Sequence, residues 1–169
     1  TLDQIVLTVA PPESMSAVNS SMKDPINSNM VEVAEQVEKT IQRPSVEYIV
    51  SLHPDIVLIA DWQYLELADP LRESGLNVVV GRGPHNLAEV RDLVRLTTDA
   101  IGESRRGDIL LRKMDEKLSE ITEKVQSIPE SERKSVVFLS LMSTYGGIGS
   151  SFDDACHQAG VINGVSAYG

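Results

Sequence analysis

Two rhythms of apolar residues run along the chain. Gln4 to Ala10 (QIVLTVA) is a short run rich in β-branched residues, closed by Pro11-Pro12. That pattern predicts a buried strand followed by a turn. Glu13 to Met22 predicts a short helix, and Lys23 to Asn29, with its Asp, Pro, Asn and Ser residues, a loop. Met30, Val33, Ala34 and Val37 fall at helical spacing. Ser45 to Leu52 predicts a helix capped by Ser45, with Val46, Ile49, Val50 and Leu52 inward and His53-Pro54 as its stop. Asp55 to Ala60 (DIVLIA) is a continuous apolar run, as expected of a strand buried on both faces of a parallel sheet. Tyr64 to Ser74 is helical in pattern, Gly75 closes it, and Leu76 to Val80 predicts the next strand. The strand–helix–strand order implies parallel pairing with right-handed crossovers.

Asn86 with Glu89 three residues on forms a capping-box pattern at the head of the longest helical stretch. Leu87, Val90, Leu93, Val94 and Ile101 line one face, and Gly102 and Gly107 are expected to interrupt. The stripe resumes at Leu111, Met114, Leu118, Ile121, Val125 and Ile128. It is too short for a coiled-coil assignment, so a long helix packed along the body is the preferred reading. Ser135 to Ser140 (SVVFLS) predicts a fresh strand, Met142 to Ser150 a Gly-rich loop, and Ser151 to Ala159 a helix ended by Gly160. The expected fold is therefore α/β: a parallel-sheet N-terminal lobe with flanking helices over residues 1–85, a long connecting helix over 86–128, and the start of an incomplete α/β C-terminal lobe over 129–169.

Composition narrows the function. The chain has 169 residues, 41% of them apolar and 24% charged, enough for one ordinary domain or two small lobes. A net charge of −10 excludes the basic footprint that nucleic acid requires, and equally a basic patch for anionic lipid. The one cysteine, Cys156, sits in a helical pattern and reads as a buried structural thiol, with a reactive thiol as the alternative. No run approaches the ~18 apolar residues of a membrane span, and the chain is expected to start downstream of any targeting segment.

Arg43 to Ala60 (RPSVEYIVSLHPDIVLIA) resembles the P-S-x-E-x-I-x-x-L-x-P-D-x-V signature of ABC-transporter substrate-binding proteins for iron–siderophores, haem and cobalamin. The order that follows is similar to that family as well: a helix, a G-x-x-V-V-V strand, a long interlobe helix and a strand opening a second lobe. Gly147 to Asp154 and Ala159 to Asn163 look like its G-x-G-S…D-x-x…A-G-x-x-N pattern. The resemblance covers roughly residues 40–169. It implies a receptor and not an enzyme: an extracytoplasmic, bacterial component of an ABC importer, either periplasmic or a cell-surface lipoprotein. Such a receptor hands a small-molecule metal chelate to the permease. Membrane contact would come only through an N-terminal lipid anchor.

In open parallel sheets, ligands sit beyond the carboxyl ends of the strands. The loops expected there are Pro11 to Ser14, Asp61 to Tyr64, Gly81 to His85 and Met142 to Ser150. They nominate Trp62, Tyr64, Arg82, His85 and Tyr145 as the lining of a cleft between lobes. Trp62 and Tyr64 offer rigid apolar area with a polar tip, or alternatively just cap the sheet end. Arg82 can pair with carboxylate or catecholate oxygens, or be a solvated loop charge. His85 is a candidate axial haem ligand. His53 and His157 read as surface residues, and no His/Asp/Glu spacing suggests a protein-built metal site. No bound cofactor is expected; the ligand is expected to be an iron chelate, haem or corrinoid. By the resemblance, Glu47 is one of two charges that dock the receptor on its permease. Two rival readings remain: an α/β nucleotide-binding or enzymatic domain using the Gly-rich loop at 146–151, which lacks a P-loop Lys and a full dinucleotide spacing, and a sensor domain reusing the receptor fold. No nucleophile elbow or catalytic acid–base pair is visible.

Overall fold

A computed structural model of the chain describes residues 2–139 and 146–166. The chain divides into two compact units. The first comprises Thr1–Gly83 and Leu93–Asp108; the second comprises Pro84–Asp92 and Ile109–Gly169.

The first unit opens with helix α1 (Leu2–Val9), where the sequence pattern predicts a strand. Leu2, Ile5, Val6, Leu7 and Val9 are all buried. Leu2, Ile5, Val6 and Val9 follow the i, i+3, i+4, i+7 spacing of a helix, with Thr8 exposed; reading the run from Gln4 leaves out Leu2 and lets its β-branched residues suggest a strand. Asp3 lies in the first turn, where the helix dipole favours an acid, and Pro11-Pro12 ends the helix. The helix expected over Glu13 to Met22 is absent. In its place two 3-10 turns, Pro12–Ser14 and Ser20–Lys23, flank strand β1 (Val18–Asn19). Asn19 Oδ1 accepts from the Ser21 N–H (3.0 Å) and the Ser21 hydroxyl (2.8 Å). Such local side-chain bonds compete with helix. Helix α2 (Val31–Ala34) is shorter than the spacing suggests, and β2 (Thr40–Ile41) pairs parallel with β1. Leu7, Val18, Met22, Ala34 and Val37 form the core here.

Helix α3 (Val46–Ser51) is capped as expected, the Ser45 hydroxyl accepting from the Tyr48 N–H at 3.2 Å. His53 takes a left-handed turn (φ 49°) that releases the chain into β3 (Val57–Ala60). Helix α4 (Ala68–Glu73) then leads to β4 (Val78–Gly81), parallel to β3 in the register Val57↔Val78 to Ala60↔Gly81. Ile49, Ile59, Ala68, Leu71 and Val78 make this core. Leu71 is wholly buried, worth about 1.5–3 kcal/mol. The expectation that β3 is buried on both faces fails: only Ile59 is buried, and Val57, Leu58 and Ala60 are half-buried. Val57 and Ile59, on one face, pack into that core, whereas Leu58 and Ala60, on the other, do not join it.

Helix α5 (Leu87–Ala100) and helix α6 (Ser104–Gln126) are separated at Gly102, whose φ of 76° suits glycine. Gly107 does not interrupt; it lies inside α6. A Cβ there would overlap Thr98 Oγ1 and lie 2.8 Å from Thr98 Cβ, so glycine is needed for the close approach of the two helices. The buried Thr97 and Thr98 hydroxyls donate to Leu93 O (2.7 Å) and Val94 O (2.9 Å). Arg106 Nη1 donates to Val9 O at 2.7 Å, satisfying an end carbonyl of α1.

In the second unit the α6 stripe is graded. Leu111 is buried, Met114, Leu118 and Val125 are half-buried, and Ile121 and Ile128 are exposed. Strand β5 (Ser135–Val136) is shorter than the predicted run, and Val137, Phe138 and Leu139 are exposed. Helix α7 (Ser151–Ala159) matches its prediction residue for residue, with Gly160 (φ 65°) closing it before β6 (Ile162–Asn163), which pairs parallel with β5. Among the described residues no helix is long and apolar enough to cross a membrane.

Candidate functional site

Strands β3 and β4 are parallel, so the loops after them leave the sheet at the same end. Asp61 ties those loops together: its Oδ1 accepts from the Gly83 N–H at 2.9 Å. The Trp62 indole lies over Gly83, where a Cβ would come 3.0 Å from Trp62 Cε3. Glycine at 83 is thus what lets the ring lie flat on the second loop. Trp62 remains 50% exposed, a large apolar plate left facing water. Tyr64 adopts a left-handed backbone (φ 64°), uncommon for an aromatic residue, and its hydroxyl donates to Gln42 O at 3.4 Å.

Trp62 and Tyr64 line a common cavity of about 740 Å³ within the first unit. Arg82, in the same unit, is exposed and does not line it. His85 belongs to the second unit; its backbone N–H donates to Glu89 Oε2 at 2.7 Å, and its side chain is exposed. Tyr145, the remaining nominee, lies outside the described residues. The predicted cap at Asn86 is present: Asn86 Oδ1 accepts from the Glu89 N–H (2.9 Å), and Asn86 Nδ2 donates back to Glu89 Oε1 (3.0 Å).

Glu47 is exposed in the first turn of α3. Its own backbone N–H and then the Ser45 hydroxyl hold its carboxyl below the usual carboxylate range, leaving it firmly anionic. Among the described residues no three or more His, Cys, Asp or Glu side chains converge as a metal site. Cys156 is buried, and that burial, followed by the Asp153 carboxylate, pushes its thiol pKa up. Both effects suit a structural thiol rather than a nucleophile.

The sequence pattern missed a polar brace in the second unit. Asp153 is buried at the head of α7. Its Oδ2 accepts from the Gly149 N–H (2.9 Å), and its Oδ1 accepts from Asn163 Nδ2 (2.8 Å) and the Ser166 hydroxyl (3.0 Å). Asn163 Nδ2 also donates to Gly146 O at 2.7 Å. The Gly149 amide, then Asn163, hold the Asp153 carboxyl below its ordinary range. Loop 146–150 is thus fastened at both ends, with Ile148 exposed between them. This pinning occupies the loop's Gly149 amide with the protein's own carboxylate, which removes a donor that a phosphate cradle would need. The signal in the sequence was an acid three residues after a Ser cap, with an Asn ten residues further on.

Comparison with known proteins gives the same direction. A family described as periplasmic binding protein matches residues 2–169. An uncharacterized ABC transporter substrate-binding lipoprotein, YvrC of Bacillus subtilis (strain 168), is 30% identical over 95 residues, covering 54% of this chain and 30% of that protein. The periplasmic heme-binding protein RhuT from Roseiflexus sp. RS-1 superposes with a TM-score of 0.77 at 22% identity, over 99% of this chain and 64% of its own. A possible iron-binding (periplasmic solute-binding) protein from Staphylococcus epidermidis gives 0.77 at 14% identity, over 95% of this chain and 62% of its own. Haemophilus influenzae MolA, bound to molybdate, gives 0.76 at 16% identity, over 99% and 59%. At these identities the structures establish shared fold, and the chain spans less than two thirds of the length of each relative. With the family match running through both units, the chain belongs to the periplasmic binding protein family.

Proposed function

We propose that this chain is part of the extracytoplasmic substrate-binding component of a bacterial ABC importer, and that its cargo is an iron chelate, either a ferric siderophore or haem. The family match over residues 2–169 carries the reading. The lipoprotein relative and the haem- and iron-binding structural neighbours support it. The chemistry at the ends of β3 and β4 suits such a cargo. Trp62 presents an exposed aromatic face, Tyr64 a fixed phenol, and Arg82 an exposed cation for the anionic groups that decorate chelates. His85 and Tyr145 remain candidate contacts on the resemblance. In this reading Glu47 docks on the permease, lipidation holds the protein at the membrane surface, and no reaction is catalysed.

The test is a titration of the full-length protein with hemin, cyanocobalamin, ferric enterobactin and molybdate, following tryptophan emission, with Trp62→Phe as the control. Saturable quenching by one iron chelate, lost in the control, is the expected result. Preference for molybdate would make the cargo an oxoanion, and a response to none of the four would overturn the receptor assignment.

A further inference from the structure

The polar brace of the second unit is built around a chemically labile pair. Among the asparagines of the chain, Asn163 alone is followed by glycine. Asparagine is thermolabile, because the backbone nitrogen of the next residue can attack its side-chain amide carbon. Glycine in that next position leaves the nitrogen unhindered. The surroundings of Asn163 and Gly164 explain both why the pair stands here and why it survives.

Packing demands the glycine. A Cβ at position 164 would lie 2.8 Å from Val137 Cγ2 and 2.9 Å from Ser135 Oγ, an overlap no well-packed site absorbs freely. Hydrogen bonding demands the asparagine. Asn163 is buried, and its Nδ2 donates to Gly146 O (2.7 Å), Asp153 Oδ1 (2.8 Å) and Ser166 Oγ (2.8 Å). Its Oδ1 accepts from the Val165 N–H at 3.1 Å. A side chain that both donates and accepts at one end is needed, and an ionised aspartate has no proton to give. The same bonds shelter the pair. Gly164 N–H donates to Val136 O at 2.8 Å, beside the β5–β6 ladder. Attack requires that nitrogen to be freed and Asn163 Cγ to swing onto it, which breaks the ladder bond and the brace together. Reaction is therefore confined to a locally opened state.

We propose that Asn163–Gly164 is a conformationally gated deamidation site, a one-way fuse that unfastens loop 146–150 once this segment has opened. In the opened state the Gly164 nitrogen bonds to Asn163 Cγ. The side-chain nitrogen departs as ammonia, taking the proton that Gly164 gives up, and a succinimide ring remains. Water then adds to either ring carbonyl, and opening of the ring leaves aspartate or isoaspartate. In sum, one amide and one water become one carboxylate and one ammonium ion. The product cannot rebuild the brace. A carboxylate at position 163 would meet Gly146 O and the Asp153 carboxylate with acceptors only, and two adjacent carboxylates resist joint ionisation. Asp153, which holds the Gly149 N–H through Oδ2 at 2.9 Å, then loses the partner that steadies it. The chemistry needs no cargo and holds whatever the receptor carries.

The test ages the full-length protein in native buffer and in denaturing urea. Peptide mass spectrometry follows Asn163, with Asn19, Asn27, Asn29, Asn77 and Asn86 as internal references. In urea Asn163 should react fastest of these; in native buffer it should slow by at least about tenfold. The natively aged fraction modified at Asn163 alone, separated by anion exchange through its added negative charge, should lose hydrogen-exchange protection at the Gly149 amide by about tenfold or more. Asn163→Asp should reproduce that loss, and the aged fraction gives the same reading if the variant does not fold. Equal rates in buffer and urea would overturn the gating. A reference asparagine outpacing Asn163 in urea would overturn the assignment of the site, and a modified fraction that keeps Gly149 protected would overturn the fuse.

Discussion

Gly107→Ala sets two principles against each other, and the structure decides between them. Gly107 lies within the 23-residue helix α6, where alanine is favoured over glycine by about 1 kcal/mol. On propensity alone the substitution stabilises. Packing argues the reverse. The new methyl would overlap Thr98 Oγ1, lie 2.8 Å from Thr98 Cβ and 3.0 Å from Thr98 Cγ2. Overpacking of this kind costs about 1–3 kcal/mol. Rotating Thr98 away is no escape, because its buried hydroxyl donates to Val94 O at 2.9 Å, and orphaning a buried hydroxyl costs about 1–3 kcal/mol. The balance is a net loss of about 1 kcal/mol, the overpacking cost less the propensity gain, read as a lowered urea midpoint with unchanged slope, followed by far-ultraviolet circular dichroism. Thr98→Ala removes the Oγ1 and Cγ2 overlaps while leaving the Cβ contact, so the double variant should recover about half of the loss, a coupling expected of touching residues. A Gly107→Ala protein more stable than its parent would refute the packing argument.

Three other outcomes follow from named contacts. Asp153 has a folded pKa below its ordinary 3.8, so its contribution to stability is present above that value and is lost as pH falls through the folded pKa. An acid titration should show loosening of α7 below pH 3.8, and Asp153→Asn should remove that acid limb; an identical acid profile in the variant would count against the brace. Gly160→Ala should destabilise by about 1–2 kcal/mol through the left-handed backbone alone, with added overlap on Val125 Cγ1. Val125→Ala should relieve only the overlap, as thermal melts of the double variant would show. Finally, Glu47→Arg should leave cargo affinity unchanged and abolish uptake by cells expressing the full-length protein; normal uptake would remove Glu47 from the docking role.

Local signals were readable where the determinant is local. The Ser45 cap, the Asn86–Glu89 box and the span of α7 up to Gly160 all depend on residues within one turn of each other, and the structure has them where the sequence places them. Helix α1 reads as a strand because its β-branched residues outweigh the helical spacing of Leu2, Ile5, Val6 and Val9, whose first member lies outside the run that begins at Gln4. The two-residue strands β1 and β2 were invisible because their pairing joins residues about twenty positions apart with no pattern of their own. The site divides in the same way. Trp62 and Tyr64 line one cavity within the first unit, since both sit in one loop at one strand end; that cavity is not the expected cleft between lobes. Arg82 is not part of that lining, and Tyr145 falls outside the described residues. The Asp153 brace was not legible, because it is assembled from side chains and backbone brought together only by the fold.

The bond from Arg106 to the Val9 carbonyl spans 97 positions, and it bears on biogenesis. The first unit draws on two stretches, the second ending at Asp108. A nascent chain emerging at about 5–20 residues per second has helix α1 in hand seconds before the arginine that fastens it exists. During that interval the apolar residues of α1 lack part of their permanent cover. A polypeptide halted at Gly83 would keep both βαβ strands yet forfeit the buried Leu93 and Thr98 layer. The bond between Val9 and Arg106 can close only once residue 106 has been made.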